Sequence, residues 1–266
     1  MTTPDVPLRM ELTFELPGTP EQVWAAIATA NGNTSWFIPT DLEEHEGGAV
    51  VFHMGEDASH GTITGWDPPH RLEYAEPGWA ALAGHGDADV TPLVTEFLVE
   101  AQSGGTCVLR VVSSAFGTGA DWENEFMAEM EKGWTPAFAN LQLYLAHFPG
   151  QQVTPLTIEQ VVPGDIDAVW SELRDAVGAH EHGDGVDVRG LSGRLARVSG
   201  PPDGAGLLVH VTDPLPGMLA LYAYPRGEGE VSANLRAYLF SDEAPAYVAR
   251  EEPAWRSWLT RVAVHS

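Results

Sequence analysis

Residues 17–24 read PGTPEQVW, and residues 163–170 read PGDIDAVW. In each stretch a Pro-Gly pair is followed, after four residues, by Val-Trp, and the two copies lie 146 residues apart. Each copy comes directly after an extended apolar stretch, so the repeated unit is a strand, a turn and a helix start. Stacked repeats have much shorter periods, of about 20–50 residues. The repeat therefore predicts a duplicated domain, one copy over 1–150 and a shorter, diverged copy over 151–266.

The first copy carries local signals for each of its elements. Apolar and polar residues alternate over residues 10–16, which predicts a strand with one buried face. Thr19 is a good helix N-cap, and the proline after it suits a first helical turn. Several short strands should follow, including a hairpin around residues 103–105. A long helix is predicted from Asp121 to Phe148, with a bend near Pro136.

The charge balance excludes several classes of partner. The net charge is −25, of which residues 1–150 contribute −18 and residues 151–266 contribute −7. Nucleic acids and anionic membranes require a basic surface, so neither is expected as a partner. The single cysteine, Cys107, fits a reducing compartment. No signal-peptide core and no membrane-spanning apolar run are present, and we therefore expect a cytoplasmic protein.

Most motifs with a known chemistry are missing. The sequence contains no GxSxG elbow, no phosphate loop and no GxGxxG fingerprint, which argues against hydrolase, nucleotide-binding and nicotinamide-dependent functions. Residues 180–182 (His-Glu-His) with Asp184 could offer metal ligands, but the neighbouring glycines predict a solvated loop. Asp121, Glu123 and Glu125 suit the positive end of a helix dipole. We predict no metal and no cofactor.

Four longer stretches resemble one known family. They are PGTPEQVWAAI (17–27), HGTITGWDPPHRLEY (60–74), TEFLVEAQSGGTCVLRV (95–111) and EKGWTPAFANLQLYL (131–145). Together and in this order they resemble the branch of the START/SRPBCC superfamily named after an activator of the ATPase of the ninety-kilodalton heat-shock chaperone. The resemblance covers most of residues 8–148. The second domain is assigned to the superfamily only through the repeat.

This resemblance implies the helix-grip fold. The chain should be α+β, with two tandem helix-grip domains, each a curved antiparallel β-sheet wrapped around a long C-terminal α-helix. The resemblance also implies a hydrophobic cavity between sheet and helix, and a small-molecule role. The branch is functionally broad, and fold does not determine function. It has no universal catalytic motif, so the catalytic residues are unknown and none is transferred to this chain.

Large rings and methionines from different elements are predicted to surround that cavity. They are Trp36, Phe37, Trp79, Phe97, Phe116, Met127, Met130, Trp134 and Phe138. The strand residues His53, His60 and Tyr74 are candidates for its polar groups. Tyr74 shares a strand face with Leu72, opposite two charged residues, whereas the strands of the two histidines do not alternate cleanly. The alternative for each apolar residue is an ordinary core position.

Three functions fit these observations. The first is binding of a hydrophobic small molecule in the first domain. The second is a cyclase or dehydratase acting on a polyketide-like or aromatic substrate, with His53, His60 or Tyr74 moving protons. The third is a protein-interaction module like a chaperone cofactor, with a protein partner. A closed cavity with few polar groups favours the first, and an exposed apolar patch over a filled core favours the third.

The second domain is expected to support the first. It is shorter, and a proline interrupts its last helix, so its cavity should be smaller or collapsed. It would pack on the first domain as a built-in partner and make the chain a pseudo-dimer. Trp24 and Trp170, the tryptophans of the repeated phrase, should occupy equivalent places in the two domains.

Overall fold

The computed structural model describes residues 5–55, 57–178, 180–201, 205–227 and 229–263. The chain divides into two compact units, residues 1–150 and residues 151–266. Each unit has its own antiparallel sheet, with seven strands in the first and six in the second. No helix among the described residues is both long enough and apolar enough to cross a bilayer.

The first unit is a meandering sheet with a long helix at its end. Its elements are β1 (Val6–Pro17), α1 (Pro20–Ala28), α2 (Ala30–Thr34), β2 (Thr40–Leu42), β3 (Ala49–Met54), β4 (Asp57–Asp67), β5 (Arg71–Glu76), α3 (Trp79–Leu82), β6 (Leu93–Gln102), β7 (Thr106–Gly117) and α4 (Asp121–His147). The strand order is β1-β7-β6-β5-β4-β3-β2, so the first strand pairs with the last. Helix α4 then packs back onto β1.

The turn from β1 into α1 is built from short-range interactions. Gly18 has a φ of 105°, a conformation that glycine adopts without steric cost. Gln22 N donates to Thr19 Oγ1 at 3.4 Å, and Thr19 N donates to Gln22 Oε1 at 2.9 Å. This reciprocal capping box satisfies backbone donors that have no partner within the helix. Pro20 occupies the first turn, where its missing N–H would be unpaired anyway.

The strand register aligns one inward row of side chains across the first sheet. Tyr74 pairs with Thr95, Thr95 pairs with Ser113, and Ser113 pairs with Met10. All four side chains are buried. Because side chains alternate between the faces of a strand, residues two positions away share this inward face. The inward face therefore carries polar groups as well as the apolar core.

The second unit repeats the topology with one strand fewer. Its elements are β8 (Thr154–Pro163), α5 (Ile166–Val177), β9 (Gly185–Val188), β10 (Leu191–Ser199), β11 (Ala205–Asp213), β12 (Gly217–Pro225), β13 (Glu230–Leu239) and α6 (Ala244–Ala263). The strand order is β8-β13-β12-β11-β10-β9, so again the first strand pairs with the last. Its core cluster consists of aliphatic side chains together with Trp170 and Trp255.

The repeated phrase forms the same turn in both units. Gly18 N donates to Gly105 O at 3.0 Å, and Gly164 N donates to Gly229 O at 2.9 Å. Each accepting glycine directly precedes the last strand of its sheet. The tryptophan of each phrase is the fifth residue of the helix that follows, α1 or α5. The two tryptophans thus hold the same place in the order of elements, as the duplication predicts.

The predicted fold class, two tandem helix-grip domains, is confirmed. The long helix α4 spans 27 residues and continues as one helix through Pro136. The short helices α2 and α3 were not predicted from the sequence. They are only 5 and 4 residues long, and segments of that length carry no helical periodicity to detect.

Candidate ligand-binding site

Five aromatic side chains form a closed circuit between the sheet and α4 of the first unit. The ring centroids are separated by 6.1 Å for Phe37–Phe52, 5.3 Å for Phe52–Tyr74, 6.1 Å for Tyr74–Phe97, 5.9 Å for Phe97–Trp134 and 5.1 Å for Trp134–Phe37. Favourable aromatic pairs have centroids about 4.5–7 Å apart, so every step is a genuine ring contact. We call these five residues the aromatic circuit.

The aromatic circuit draws on five separate parts of the chain. Phe52 lies on β3, Tyr74 on β5 and Phe97 on β6, each on the inward face of its strand. Trp134 belongs to α4, and Phe37 lies in the segment between α2 and β2. The circuit therefore exists only when the sheet has its register and α4 lies over it.

Trp134 is the residue through which α4 joins the circuit. Its side chain is 7% exposed, lies nearly parallel to Phe37 (15°) and meets Phe97 edge-on (82°). The indole Nε1 is buried and has no hydrogen-bond partner among the described residues. A buried N–H without a partner is rare and costs about 1–3 kcal/mol. An acceptor atom on a bound molecule would remove that cost.

Five polar residues share the inward face with the circuit. Thr95 Oγ1 and Ser113 Oγ are 2.9 Å apart, and Thr95 also hydrogen-bonds the phenol of Tyr74. Glu76 lies two residues beyond Tyr74 on β5 and accepts a hydrogen bond from Ser59 Oγ. Ser59, Thr95 and Ser113 are all buried. We call these five residues the polar strip; Tyr74 belongs to both groups.

The two acids of the polar strip hold their protons more tightly than they would in water. Burial raises the pKa of Tyr74 well above its ordinary value of 10.0, and the negative charge of Glu76 raises that pKa further. Burial also raises the pKa of Glu76 above 4.5, against the opposing effect of the hydrogen bond from Ser59. Desolvation disfavours the charged form of an acid, so the strip favours uncharged, proton-bearing groups.

The predicted residues Trp36 and Phe138 extend the circuit towards β1. The ring of Phe138 lies 5.3 Å from that of Trp134, 5.5 Å from that of Trp36 and 4.0 Å from that of Phe14. The indole Nε1 of Trp36 donates to Ala26 O at 3.0 Å. Trp36 is therefore a satisfied core residue, in contrast to Trp134.

Trp79 lies in a different cluster from the circuit. Its ring contacts Trp122 at 5.4 Å and Phe126 at 5.0 Å, both near the start of α4. Its Nε1 donates to Thr91 O at 2.9 Å. This cluster attaches α3 to α4.

The two predicted methionines lie on the helix face of Trp134. Met130 precedes Trp134 by four residues and Met127 precedes it by seven, so both fall on the same side of α4. Met127 is buried and Met130 is half-buried. Their part in ligand binding stays a prediction.

Three predicted pocket residues point away from the interior, contrary to the prediction. His53 follows the inward Phe52 on β3, so it faces solvent, where its Nε2 lies 2.8 Å from Asp41 Oδ2. His60 is likewise exposed, next to an inward serine on β4. Phe116 is 50% exposed at the end of β7. The apolar pattern of these strands is irregular, and the sequence alone did not indicate which face turns inward.

Four residues of the polar strip, and Phe52 of the circuit, were not predicted. Thr95 shares a strand face with Phe97, and that alternation is a signal that could have placed it inside. The inward position of Ser113 becomes evident only from its pairing with Thr95 across the sheet. Ser59 lies in a strand without clean alternation. Glu76 shares a strand face with Tyr74, but its charged side chain is of a type that is mostly exposed, so burial was not expected.

The first unit also matches a family model. The model is described as "Activator of Hsp90 ATPase homolog 1-like protein" and matches residues 17–146. The match covers nearly all of the first unit, including every residue of the aromatic circuit and the polar strip.

The first unit is thus similar to the activator-of-Hsp90-ATPase family over 130 of the 266 residues of the chain. The family and its START/SRPBCC-like fold agree with the resemblance predicted from the sequence. The model does not extend into the second unit, whose relation to this family rests on its topology and the repeated turn. No curated protein matches the chain.

Several solved structures have a similar fold. The di-domain ARO/CYC BexL from the BE-7585A biosynthetic pathway is 14% identical, over 97% of this chain and 99% of that chain, with a TM-score of 0.45. DynU16, from the dynemicin biosynthetic locus, is 16% identical over 98% of both chains, with a TM-score of 0.40. The Aha1 dimer from Colwellia psychrerythraea is 17% identical over 54% of this chain and 99% of that chain, with a TM-score of 0.43. These distant likenesses carry no argument about a ligand or a reaction.

Proposed function

We propose that the first unit binds an uncharged, hydrophobic small molecule at the aromatic circuit. One observation carries this proposal: the indole N–H of Trp134 is buried among aromatic rings and has no partner within the described residues. A core that served only stability would gain by pairing or replacing this donor. A ligand that stacks on the rings and accepts a hydrogen bond from Trp134 Nε1 explains why the donor is kept.

The electrostatics of the first unit favour a neutral ligand. Residues 1–150 carry a net charge of −18, which repels anions over the whole surface. Inside, the polar strip offers hydroxyl groups and a carboxyl group, and among the described residues no lysine or arginine forms an ion pair with Glu76. An anionic ligand would therefore lack a counter-charge. A flat aromatic molecule with a carbonyl or hydroxyl oxygen fits both the rings and the strip.

The features that support this site lie in the first unit. Among the described residues, the core cluster of the second unit combines valine, leucine, isoleucine and alanine with Trp170 and Trp255. We therefore assign ligand binding to the first unit. We propose that the second unit has a structural role, as a built-in partner in the sense of a pseudo-dimer.

Binding of the neutral dye Nile red tests the proposal, because this dye has a carbonyl acceptor and fluoresces strongly when it leaves water. The decisive variant is Trp134→Phe, which keeps a ring in the circuit and removes the N–H. We expect its affinity for Nile red to fall by about 2- to 12-fold, the effect of one hydrogen bond worth about 0.5–1.5 kcal/mol. The dye N-phenyl-1-naphthylamine, which has no oxygen acceptor, should lose less affinity.

Trp24→Phe is the matched control, because it makes the same change on α1, where Trp24 contacts Trp66 outside the circuit. Its affinity for both dyes should equal that of the wild type. Wild-type protein that binds neither dye would overturn the proposal and favour the protein-interaction alternative. Equal Nile red affinity in the wild type and Trp134→Phe would show that the unpaired N–H has no part in binding.

A further inference from the structure

The rings of the aromatic circuit are in contact with one another, and Trp134 has the most ring neighbours among them. Its ring centroid lies 5.1 Å from that of Phe37, 5.3 Å from that of Phe138 and 5.9 Å from that of Phe97. A ligand that stacks on these rings must first separate some of them. Phe97 is fixed by the pairing of β6 with both neighbouring strands, and Phe37 N donates to Asn33 O at 2.9 Å. Trp134, on a helix, is therefore the ring whose displacement would open the circuit.

The first half of α4, residues 121–133, is loosely packed, and we call it the gate segment. The structure describes every residue of this segment, and two of its side chains are buried, Glu123 and Met127. The carboxylate of Glu123 is bonded to Thr118 and Gly119, which directly precede the helix, so these bonds can move together with the helix start. A segment with few buried contacts opens at a low cost in free energy.

The second half of α4 is fixed to the rest of the first unit. From Trp134 to the end of the helix, eight side chains are buried. Asn140 Nδ2 donates to Trp36 O at 3.1 Å, and Gln142 Nε2 donates to Glu15 O at 3.0 Å. Each of these bonds joins α4 to a distant part of the sequence. The second half therefore cannot move without loss of tertiary structure.

Two residues that weaken a helix lie at the boundary between the halves, on either side of Trp134. Pro136 has no N–H to bond the carbonyl four residues earlier in the helix. Gly133 is a residue of the type that forms helices least readily apart from proline. An added Cβ at Gly133 would meet no atom of a neighbouring element within 4 Å, so packing does not require glycine there. A bend of α4 therefore needs the least free energy between Gly133 and Pro136.

We propose that the gate segment controls access to the aromatic circuit and opens by a bend of α4 at residues 133–136. In this movement the rings of Trp122 and Phe126 loosen their contacts with Trp79 of α3, while the second half of α4 stays in place. Trp134 moves with the bend and leaves the circuit, so that a flat molecule can enter between the rings. The gate then closes over the ligand. This inference rests on the proposed function and adds the route by which the ligand enters and leaves.

Gly133→Ala tests the bend, because alanine strengthens the helix at this position without adding a contact. Opening of the gate should become about fivefold rarer, the size of the helix-propensity difference between glycine and alanine. Stopped-flow fluorescence of the full chain with Nile red measures the association and dissociation rate constants. Both should fall by about fivefold, because the ligand enters and leaves through the same open state. The affinity should stay the same, because the free and the bound protein are both closed.

Pro136→Ala is a second hinge variant and should slow both steps as well, because it supplies the missing N–H. Pro253→Ala is its matched control, since it makes the same change inside α6 of the second unit. Its rate constants should equal those of the wild type. Hydrogen exchange of the full chain gives an independent measurement. The backbone amides of the gate segment should exchange faster than those of the second half of α4, and Gly133→Ala should slow them.

Failure of the gate and failure of binding give different results. If Nile red binds and both hinge variants keep the wild-type rate constants, the gate is overturned and the proposed function stands. Equal hydrogen exchange in the two halves of α4 has the same meaning. A lower affinity without slower dissociation shows that the variants alter the site itself, which also overturns the gate. If the wild type does not bind Nile red, the proposed function is overturned together with the gate.

Discussion

Glu123 provides the sharpest test of how the first unit holds α4 in place. This glutamate is fully buried in the first turn of the helix, although glutamate is among the residues most often exposed. Its Oε1 accepts from Thr118 N at 2.8 Å and from Thr118 Oγ1 at 2.9 Å, and its Oε2 accepts from Gly119 N at 2.9 Å. Gly117 must be glycine here, because an added Cβ would lie 2.1 Å from Glu123 Oε2.

The substitution Glu123→Gln preserves shape but removes one acceptor. The amide nitrogen would face a backbone or hydroxyl donor, so one charge-assisted hydrogen bond is lost and a buried donor is left unpaired. Such a loss costs about 2–3 kcal/mol. In a unit of this size each kcal/mol lowers the melting temperature by about 2–4 °C, so we expect a decrease of roughly 5–10 °C at pH 7.

The loss of stability in Glu123→Gln should depend on pH. Burial raises the pKa of Glu123, but the hydrogen bonds from Thr118, Gly119 and Ala120 outweigh burial and hold the pKa below 4.5. Folding lowers the pKa of such a group. The stability that it contributes is fully present when the pH is above its pKa in the unfolded chain, and it is lost as the pH falls through its pKa in the folded protein. The difference between wild type and variant should therefore be largest at pH 7 and shrink below pH 4.5.

Thermal unfolding followed by circular dichroism at pH 7 and at pH 4 measures both effects. Glu125→Gln is the matched control, because Glu125 is exposed in the same helical turn, and its melting temperature should stay close to that of the wild type. A decrease in Glu123→Gln no larger than in Glu125→Gln would refute the reasoning. A decrease of equal size at both pH values would refute the electrostatic part alone.

Two further predictions concern other buried acids. Glu76→Gln should be more stable than the wild type in urea unfolding at neutral pH, because the neutral amide avoids the desolvation of the carboxylate. Burial raises the Glu76 pKa, so the stability linked to its proton is present below pH 4.5 and is lost as the pH rises through the folded pKa. Cys107 should resist iodoacetamide in the folded protein and react in urea, because burial and the charge of Glu21 raise its thiol pKa. Mass spectrometry measures alkylation of Cys107 at the same reagent concentration and reaction time in the folded and the urea-unfolded protein. Equal alkylation in the two states would contradict the prediction.

Local signals in the sequence were reliable wherever neighbouring residues interact with one another. Thr19 was predicted as a helix cap and forms one, because its partner Gln22 is only three residues away. The inward position of Tyr74 also followed from alternation within one strand. The same alternation was absent around His53 and His60, and both were predicted to line a pocket although they face solvent.

The sequence by itself determined the duplication, the α+β order of elements and the caps and turns, because these depend on residues close together in the chain. Only the tertiary structure decided which side chains form the candidate site. The aromatic circuit joins residues from position 37 to position 134, and the polar strip depends on the register between β4, β5, β6 and β7. Shifting the register of one strand by one residue would turn its inward side chains to solvent. Long-range pairing therefore decides which residues face each other, and no local pattern encodes it.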